Sequence, residues 1–381
     1  MRFDTTACRH YGDMDYSRRW DLLVEEFREQ ALLAEAIGMT TFWQSEHHFG
    51  GGIDGWNNGP PNPVLICMDL VGRTKTLRVG TGGVALPDWN PIRLAEDLAV
   101  LDIASGGRLD VGLMRGASRR TNIQFFQQKH DAAATQRAFN EVLDILINAW
   151  KDGPFKHKGE FYEFPVPGWV ETHEVLNKDP RYYAPDGTYI ALAVHPKPVQ
   201  KPHPPLIVLG DSIATHEFAA TYNLPIMSYA PSMSALDQTW TTYRQTYAKT
   251  HGAEAPGRNL SVTKATYVAP TMEQAIADAK PGLNALFNRS ALSMAGRKKY
   301  LRPGEEPTAQ DMQEDWFDFL HRHDIILVGT PDYVSERLEV LRDRFGCQHY
   351  SLFSNIPGLT QRQCLDHLAL FGHKVMPRFQ N

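Results

Sequence analysis

Alternating strand-like and helix-like segments are the feature of this sequence that most constrains its fold. Residues 2–7 predict a first strand, helical spacing continues to Ile37, and Gly38 stands where a helix would end before a second strand at 40–45. Further strands are predicted, mostly with a helix between neighbours, at 77–86, 108–113, 206–209, 225–229, 260–268, 325–328 and 349–353. Crossover helices between strands are typical of parallel sheets. We therefore predict an α/β fold, a (β/α)8 TIM barrel with insertions.

Two long stretches interrupt the alternation. Residues 151–205 are rich in Pro, Gly, Tyr and charged side chains, and residues 281–323 form a second irregular stretch. Stretches of this length without periodicity are usually functional or surface excursions rather than linkers. We expect one domain over residues 1–381, with an insertion at 151–205 and a lid or second insertion at 281–323.

A doubly wound sheet is the alternative fold, and it would place a glycine-rich turn between a strand and a helix to bind a dinucleotide. The run Gly80-Thr81-Gly82-Gly83 resembles such a turn, but it lies inside an apolar strand-like segment. The favoured interpretation is that these glycines let a ligand ring or a neighbouring backbone approach the strand closely.

Composition and charge exclude several classes of protein. Of the 381 residues, 42% are hydrophobic and 22% are charged, the net charge is −5, and no basic cluster exceeds the short run at 297–299. No segment has the roughly 18 apolar residues of a membrane span or the apolar core of a signal peptide. The four cysteines are scattered without a CxxC pair. We expect a cytoplasmic protein without nucleic-acid or membrane partners, disulfides or a thiolate zinc site.

Candidate binding residues stand where predicted barrel strands end, which is the end that carries the active site in this fold. Asp211, Ser212 and Thr215 begin a predicted helix, where backbone N–H groups and hydroxyls could bind a phosphate, and Arg115 could supply a guanidinium. The simpler interpretation is a helix N-cap and a surface ion pair. The sequence leaves both interpretations open.

His47 and His48 follow the second predicted strand directly after Glu46. Adjacent strand residues point to opposite faces and no HxxxH spacing is present, so we predict no metal site. His47 is either a partly buried histidine or a general acid, base or hydrogen-bonding group beside a bound ring. A serine hydrolase is a weak alternative, because the sequence contains no GxSxG motif.

Several short motifs, in order and spacing, resemble those of the bacterial luciferase-like flavin monooxygenases. They are EHHF at 46–49, PNP at 61–63, LRVGT at 77–81, SGGRL at 105–109, RG at 115–116, DSIAT at 211–215 and GTP at 329–331. The resemblance covers nearly the whole chain and is weakest at 151–205 and 281–323. As a joint pattern it is specific for the family, but not for the substrate.

The resemblance implies a barrel that binds reduced FMN from a separate NAD(P)H:flavin reductase and reacts it with O2 to a flavin hydroperoxide. One oxygen atom would then enter a small hydrophobic substrate. His47 matches the family's catalytic histidine, and Glu46 beside it is a cofactor-binding candidate. The positions that match the FMN phosphate site are Arg115, Ser212 and Thr215, with Asp211 in place of a glutamate, and the pair that matches a cis peptide under the flavin is Gly82-Gly83.

Two other functions remain open on the same resemblance. One is a deazaflavin-dependent dehydrogenase, which would move a hydride without O2, and the other is a non-catalytic flavin-binding subunit. Family barrels commonly pair through the helices after the second and third strands, so we also expect a homodimer that uses residues 64–73 and 91–104.

Overall fold

The computed structural model describes residues 1–7, 20–48, 60–116, 124–125, 132–173, 178–289 and 296–380. The chain divides into two compact units. The first unit contains Met1–Gly83, Asp110–Leu113 and Leu206–Asn381, and the second contains Val84–Leu109 and Met114–Pro205. The single domain predicted from the sequence stays a prediction.

Nine parallel strands form the main sheet among the described residues. They are β1 (Arg2–Ala7), β2 (Thr41–Gln44), β3 (Arg78–Ala85), β4 (Leu109–Met114), β5 (Leu206–Leu209), β6 (Ile226–Tyr229), β7 (Leu260–Val268), β8 (Leu327–Gly329) and β9 (His349–Phe353). Their order is β8-β7-β9-β1-β2-β3-β4-β5-β6, and β6 also pairs with β7. Eight strands therefore close a barrel, which confirms the predicted (β/α)8 fold and rules out the doubly wound sheet.

The strand that was predicted at 325–328 lies outside the closed ring. It begins at Leu327 and pairs only with the last part of β7, from Thr266 to Val268. The earlier part of β7, from Ser261 to Ala265, pairs with β9 instead. The long strand β7 therefore pairs with two strands, β9 along its first part and β8 along its last part.

Helices in the described parts of the chain follow most of the strands. They are α1 (Trp20–Ala36), α2 (Pro63–Val71), α3 (Pro91–Ala104), α4 (Ala132–Ala149), α5 (Ile213–Thr221), α6 (Met233–His251), α7 (Met272–Arg289), α8 (Ala309–Gln313), α9 (Trp316–Arg322), α10 (Pro331–Phe345) and α11 (Gln361–Lys374). Short 3-10 turns lie at Leu86–Asp88, Gly257–Asn259, Arg297–Tyr300 and Met376–Phe379. The strand boundaries predicted from the sequence lie within two residues of the observed ones.

The prediction that residues 281–323 are irregular is wrong for the first part of that range. Helix α7 begins at Met272, before this stretch, and continues through Pro281 to Arg289. A proline inside a helix removes one backbone hydrogen bond, but Leu283 and Phe287 beyond it are buried one helical turn apart. Packing of these side chains outweighs the local effect of the proline. Whether part of the stretch closes as a lid stays a prediction.

A cluster of buried charges lies where the barrel strands begin. Arg78 Nη2 donates to Asp110 Oδ1 at 2.7 Å, and Thr41 Oγ1 donates to Asp110 Oδ2 at 3.0 Å. Asp4, which is fully buried, accepts the Trp43 indole N–H at 2.7 Å and also bonds His349. These groups satisfy one another, which is the condition for keeping charges inside a barrel. They lie at the end of a TIM barrel that serves stability rather than catalysis.

The insertion is attached by two carboxylates within the second unit. Glu141 on α4 accepts the backbone N–H groups of Glu160, Phe161 and Tyr162 at 2.9–3.0 Å. Asp102 on α3 is fully buried and accepts the backbone N–H and the side-chain Nε2 of Gln200, at 2.9 and 2.6 Å. These bonds hold an insertion in which His157–Lys158 pairs with Glu163–Phe164 and isolated bridges join other described residues.

Two further sequence predictions concern membranes and thiols. No described helix combines the length and apolarity needed to cross a membrane. Cys67, Cys347 and Cys364 are buried and not in disulfides, and Cys8 lies outside the described residues.

Candidate active site

Parallel strands bring the residues that follow them to one end of the barrel. In the first unit, these residues include Glu46 to His48 after β2, Gly210 to Thr215 after β5 and Tyr229 to Pro231 around the end of β6. TIM-barrel active sites are built at this end.

Ser212 and Thr215 form a pair of hydroxyls at the start of α5. Ser212 is the N-cap, and its Oγ accepts the backbone N–H of Thr215 at 3.1 Å and lies 2.7 Å from Thr215 Oγ1. Gly210 makes room for this turn, since a Cβ there would lie 3.0 Å from Thr215 Cγ2. The simpler prediction of an N-cap is thus confirmed for Ser212. Both hydroxyls remain at an accessible helix N-terminus, where an anion is favoured.

Three buried side chains form a series of hydrogen bonds that holds the Ser212 cap in place. His216 Nδ1 lies 2.9 Å from the carbonyl oxygen of Ser212, and its Nε2 lies 3.1 Å from Ser228 Oγ. Trp240 Nε1 donates to the same Ser228 hydroxyl at 3.1 Å. Burial lowers the pKa of His216 to about 4, so the ring is neutral at physiological pH. Because a carbonyl only accepts, Nδ1 carries the proton and Nε2 accepts from Ser228.

Asp211 connects the ends of two neighbouring strands. Its Oδ1 accepts the backbone N–H of Tyr229 at 2.6 Å. Burial raises the pKa of Asp211 to about 6, although that hydrogen bond and the charges of Lys299 and Lys264 favour the carboxylate. Asp211 was predicted to bind the cofactor. The hydrogen bond to Tyr229 is structural, since it fixes β5 against β6 beside the hydroxyl pair, and the role of Asp211 at the cofactor stays a prediction.

Glu46, His47 and His48 follow β2 as predicted. The Glu46 carboxylate is buried, and its Oε1 lies 2.8 Å from His48 Nε2. His47 is half-buried, and its backbone N–H donates to the carbonyl oxygen of Pro60 at 3.0 Å. The Glu46 carboxylate thus contacts His48, and the role of the His47 imidazole stays a prediction.

The peptide bond between Gly82 and Gly83 in β3 is cis, as the resemblance implied. A Cβ on Gly83 would lie 2.7 Å from Leu209 Cδ1 and 2.8 Å from the carbonyl oxygen of Gly112. A Cβ on Gly80 would meet the Trp43 ring at 2.2 Å. The glycines therefore allow close approach of a neighbouring backbone and an indole, and they do not form a dinucleotide-binding turn.

Arg115 directly follows β4 and belongs to the second unit. Within that unit its Nη1 donates to Gln136 Oε1 on α4 at 3.4 Å. Its predicted role at a phosphate remains a prediction from the resemblance.

The sequence matches the model of the family described as luciferase-like monooxygenase over residues 1–348. The chain belongs to the luciferase-like monooxygenase family. The match confirms the family that the sequence motifs had indicated.

Individual members of the family are distant from this chain. The oxygenase component of the flavin-dependent trigonelline monooxygenase of Acinetobacter baylyi is 29% identical over 268 residues, which is 70% of this chain and 65% of that protein. The match thus spans slightly less than two thirds of that relative.

Solved structures share the luciferase-like fold over their full lengths. The oxygenating constituent of the 3,6-diketocamphane monooxygenase from Pseudomonas putida, a type II Baeyer-Villiger monooxygenase solved with FMN, has a TM-score of 0.78 at 21% identity, covering 99% of this chain and 98% of that one. An F420-dependent secondary alcohol dehydrogenase, solved with an F420–acetone adduct, has a TM-score of 0.70 at 16% identity, covering 100% and 99%. At such low identity, these similarities establish the fold alone.

Sequence reasoning missed two groups at the rim of this luciferase-like barrel. Lys264 is fully buried on β7 and donates to the carbonyl oxygens of Pro231 and, at 2.8 Å, Asp324. Burial lowers its pKa to about 7. Tyr300, in the second irregular stretch, is buried beside a pocket in the first unit. A lysine inside an apolar strand was a visible signal for the first, but no local pattern indicated the second.

Metal binding is not indicated in the parts of the chain that the structure describes. No group of three or more His, Cys, Asp or Glu side chains there has a geometry that could hold an ion.

Proposed function

We propose that this member of the luciferase-like family is an FMNH2-dependent monooxygenase. It would use reduced FMN and O2 to put one oxygen atom into a small hydrophobic substrate such as an aldehyde, cyclic ketone or aromatic compound. The observation that carries the proposal is the Ser212 and Thr215 hydroxyl pair, 2.7 Å apart at the N-terminus of α5 at the active end of the barrel.

This donor set fits the phosphate of FMN. The first backbone N–H groups of a helix have no partner within the helix, and they point in the direction where an anion is stabilised. Ser212 can donate its hydroxyl proton to a phosphate while its oxygen still accepts the Thr215 N–H. The neutral His216 ring and Asp211 keep this turn in place through backbone contacts. We propose Arg115 as a further phosphate-binding residue from the resemblance.

Reduced FMN, when bound, would supply the electrons that activate O2. We propose that His47 holds or moves a proton beside the reacting edge of the flavin, with Glu46, Gly82 and Gly83 as neighbouring cofactor-binding positions. Glu46 would act through its contact with His48, and the glycines would keep β3 close to its neighbours. Apolar side chains at the same rim would keep water from the reaction.

A separate NAD(P)H:flavin reductase would supply the reduced flavin to a cytoplasmic homodimer. Support for the reductase comes from the relative whose name describes it as the oxygenase component of a flavin-dependent monooxygenase. The net charge of −5 and the scattered cysteines are compatible with the proposed compartment.

The alternative is a deazaflavin-dependent dehydrogenase, because that cofactor is used by a protein of the same fold. Anaerobic titration of the full-length protein with reduced FMN and with reduced F420 separates the two. We expect tight binding of reduced FMN and, after admission of ¹⁸O2 with a panel of carbonyl and aromatic compounds, one ¹⁸O atom in a product.

Binding of reduced F420 alone, with anaerobic hydride transfer, would instead favour the dehydrogenase. Binding of reduced FMN followed only by hydrogen peroxide, with every compound of the panel, would favour a non-catalytic flavin-binding subunit. Each of these outcomes contradicts the proposed monooxygenase.

A further inference from the structure

A mostly apolar pocket opens at the active end of β6, β7 and β9 within the first unit. Its walls include Ala265 on β7, Phe353 at the end of β9 and Phe287 on α7, and Lys299 and Tyr300 close one side. Pockets of this kind bind an apolar molecule through their walls and fix its orientation through a few polar groups.

Tyr300, which lines this pocket, carries an unsatisfied hydroxyl. Only 4% of the residue is exposed, and its hydroxyl has no hydrogen-bond partner among the described residues. A buried polar group without a partner costs about 1–3 kcal/mol. Burial also raises the pKa of Tyr300, so the hydroxyl keeps its proton and can donate it.

The position of the Tyr300 ring is fixed by its surroundings. The ring makes edge contacts with Phe287 and Trp316, with centroids 5.8 and 6.3 Å away. Its carbonyl oxygen accepts the backbone N–H of Ser232 at 3.1 Å. A ligand would therefore meet a preorganised hydroxyl rather than a flexible one.

The charges beside the pocket favour an anion. Lys299 lines it directly, and the one carboxylate that influences both Lys299 and Tyr300 is Asp211. Asp211 already accepts the Tyr229 N–H and is attracted by both Lys299 and Lys264. Lys264 has Asp324 as a second carboxylate partner and does not line the pocket, so the charge that a ligand there can reach is that of Lys299, since no Asp or Glu is among the lining residues.

We propose that this pocket holds the apolar ring or chain of the organic substrate, and that the substrate carries a carboxylate which accepts a hydrogen bond from Tyr300 and pairs with Lys299. This inference rests on the proposed function, because it takes the pocket at the active rim as the place of the substrate. It narrows the substrate class to small hydrophobic acids.

The test uses the full-length protein and three small probes of one shape. They are benzoate, the isosteric but uncharged nitrobenzene, and the cation benzylamine, and binding is measured by ligand-detected NMR and calorimetry with and without oxidised FMN. We expect benzoate to bind at least about tenfold more tightly than either other probe, as a charge-assisted hydrogen bond predicts. Equal binding of benzoate and nitrobenzene, preferred binding of benzylamine, or no binding in either condition overturns the inference.

Two variants test whether the Tyr300 hydroxyl and the Lys299 charge bind benzoate. Tyr300→Phe removes only the hydroxyl and Lys299→Met removes only the charge, and each should weaken benzoate about tenfold while leaving nitrobenzene within twofold. The matched control is Tyr243→Phe, which removes a buried hydroxyl that donates to Leu224 O at 2.9 Å. It should lower the melting temperature but not benzoate affinity, whereas Tyr300→Phe should leave the melting temperature unchanged or higher.

An unchanged affinity for benzoate in Tyr300→Phe would refute the role of the hydroxyl. These measurements need neither reduced flavin nor oxygen. A failure of the proposed monooxygenase activity with intact, Tyr300-dependent benzoate binding would therefore be recognised as a separate result.

Discussion

Thr215→Val tests whether the start of α5 binds the phosphate of FMN. Valine keeps the branched shape whose methyl group packs against Gly210, and it keeps the backbone N–H that donates to Ser212 Oγ at 3.1 Å. The substitution removes only the hydroxyl that lies 2.7 Å from Ser212 Oγ. Any change in affinity can therefore be attributed to that one donor.

The expected magnitude follows from the charge of the ligand. A hydrogen bond to a charged group contributes about 1.5–3 kcal/mol, so loss of the Thr215 hydroxyl should weaken FMN by roughly 10- to 100-fold. Riboflavin has the same ring system without the phosphate, and its affinity should stay within about twofold. Ser212→Ala should weaken FMN too, but it also removes the N-cap and about 1 kcal/mol of stability.

The assay compares the dissociation constants of reduced FMN and reduced riboflavin by anaerobic titration. Ser232→Ala is the matched control, because Ser232 caps α6 through the Ala235 N–H at 3.2 Å and stands outside the proposed phosphate site. It should lower stability like Ser212→Ala without changing the FMN to riboflavin ratio. Equal losses of FMN and riboflavin affinity in Thr215→Val would refute the phosphate site.

Three further variants test other parts of the site and the fold. His47→Ala should still bind FMN but divert most electrons to hydrogen peroxide, and an unchanged ratio of peroxide to product would remove His47 from the mechanism. Arg115→Ala should weaken FMN much more than riboflavin in the same titration, whereas equal losses would show that it does not hold the phosphate. Burial lowers the pKa of His367 from 6.5 to about 3, so the unfolded chain binds a proton that the folded protein rejects. In urea titrations, His367→Leu should reduce the fall of the unfolding free energy between pH 6.5 and 3 by up to about 5 kcal/mol, while the separate fall caused by the buried His216 remains.

The sequence predicted the fold well where the information is local. Strand ends, helix caps and the order of elements follow from short patterns such as Gly38 after α1 or Pro91 at the start of α3, and these stand as predicted. The continuation of α7 beyond Pro281 was missed because it depends on long-range packing of Leu283 and Phe287. A local sequence pattern shows that a proline destabilises a helix, but it does not show the side-chain burial that offsets this effect.

The candidate site also contains residues that the sequence could identify and residues that it could not. Ser212 could be identified from the sequence as the first residue of a helix after a strand, and the structure confirms its cap. The hydrogen-bond partner of Asp211 could not be identified from the sequence, because the Tyr229 N–H is 18 residues away along the chain. Tyr300 lies in a stretch without periodicity, and it reaches the pocket only through the packing of Phe287 and Trp316. Residues that are brought together only by tertiary packing have no regular spacing along the chain, so a sequence pattern cannot identify them.

Buried polar groups in the described parts of the chain have two different physical roles. Lys264 and His216 have backbone partners, at Asp324 and Ser212 respectively, so they hold the loops of the rim in place. Tyr300 and His367 both have unsatisfied polar atoms among the described residues. Tyr300 lines the pocket, whereas His367 on α11 is not among the residues that line it. A ligand can therefore offset the cost of the Tyr300 hydroxyl by reaching it, while the cost of the unsatisfied His367 nitrogens is present at every pH and is joined in acid by a further loss of stability.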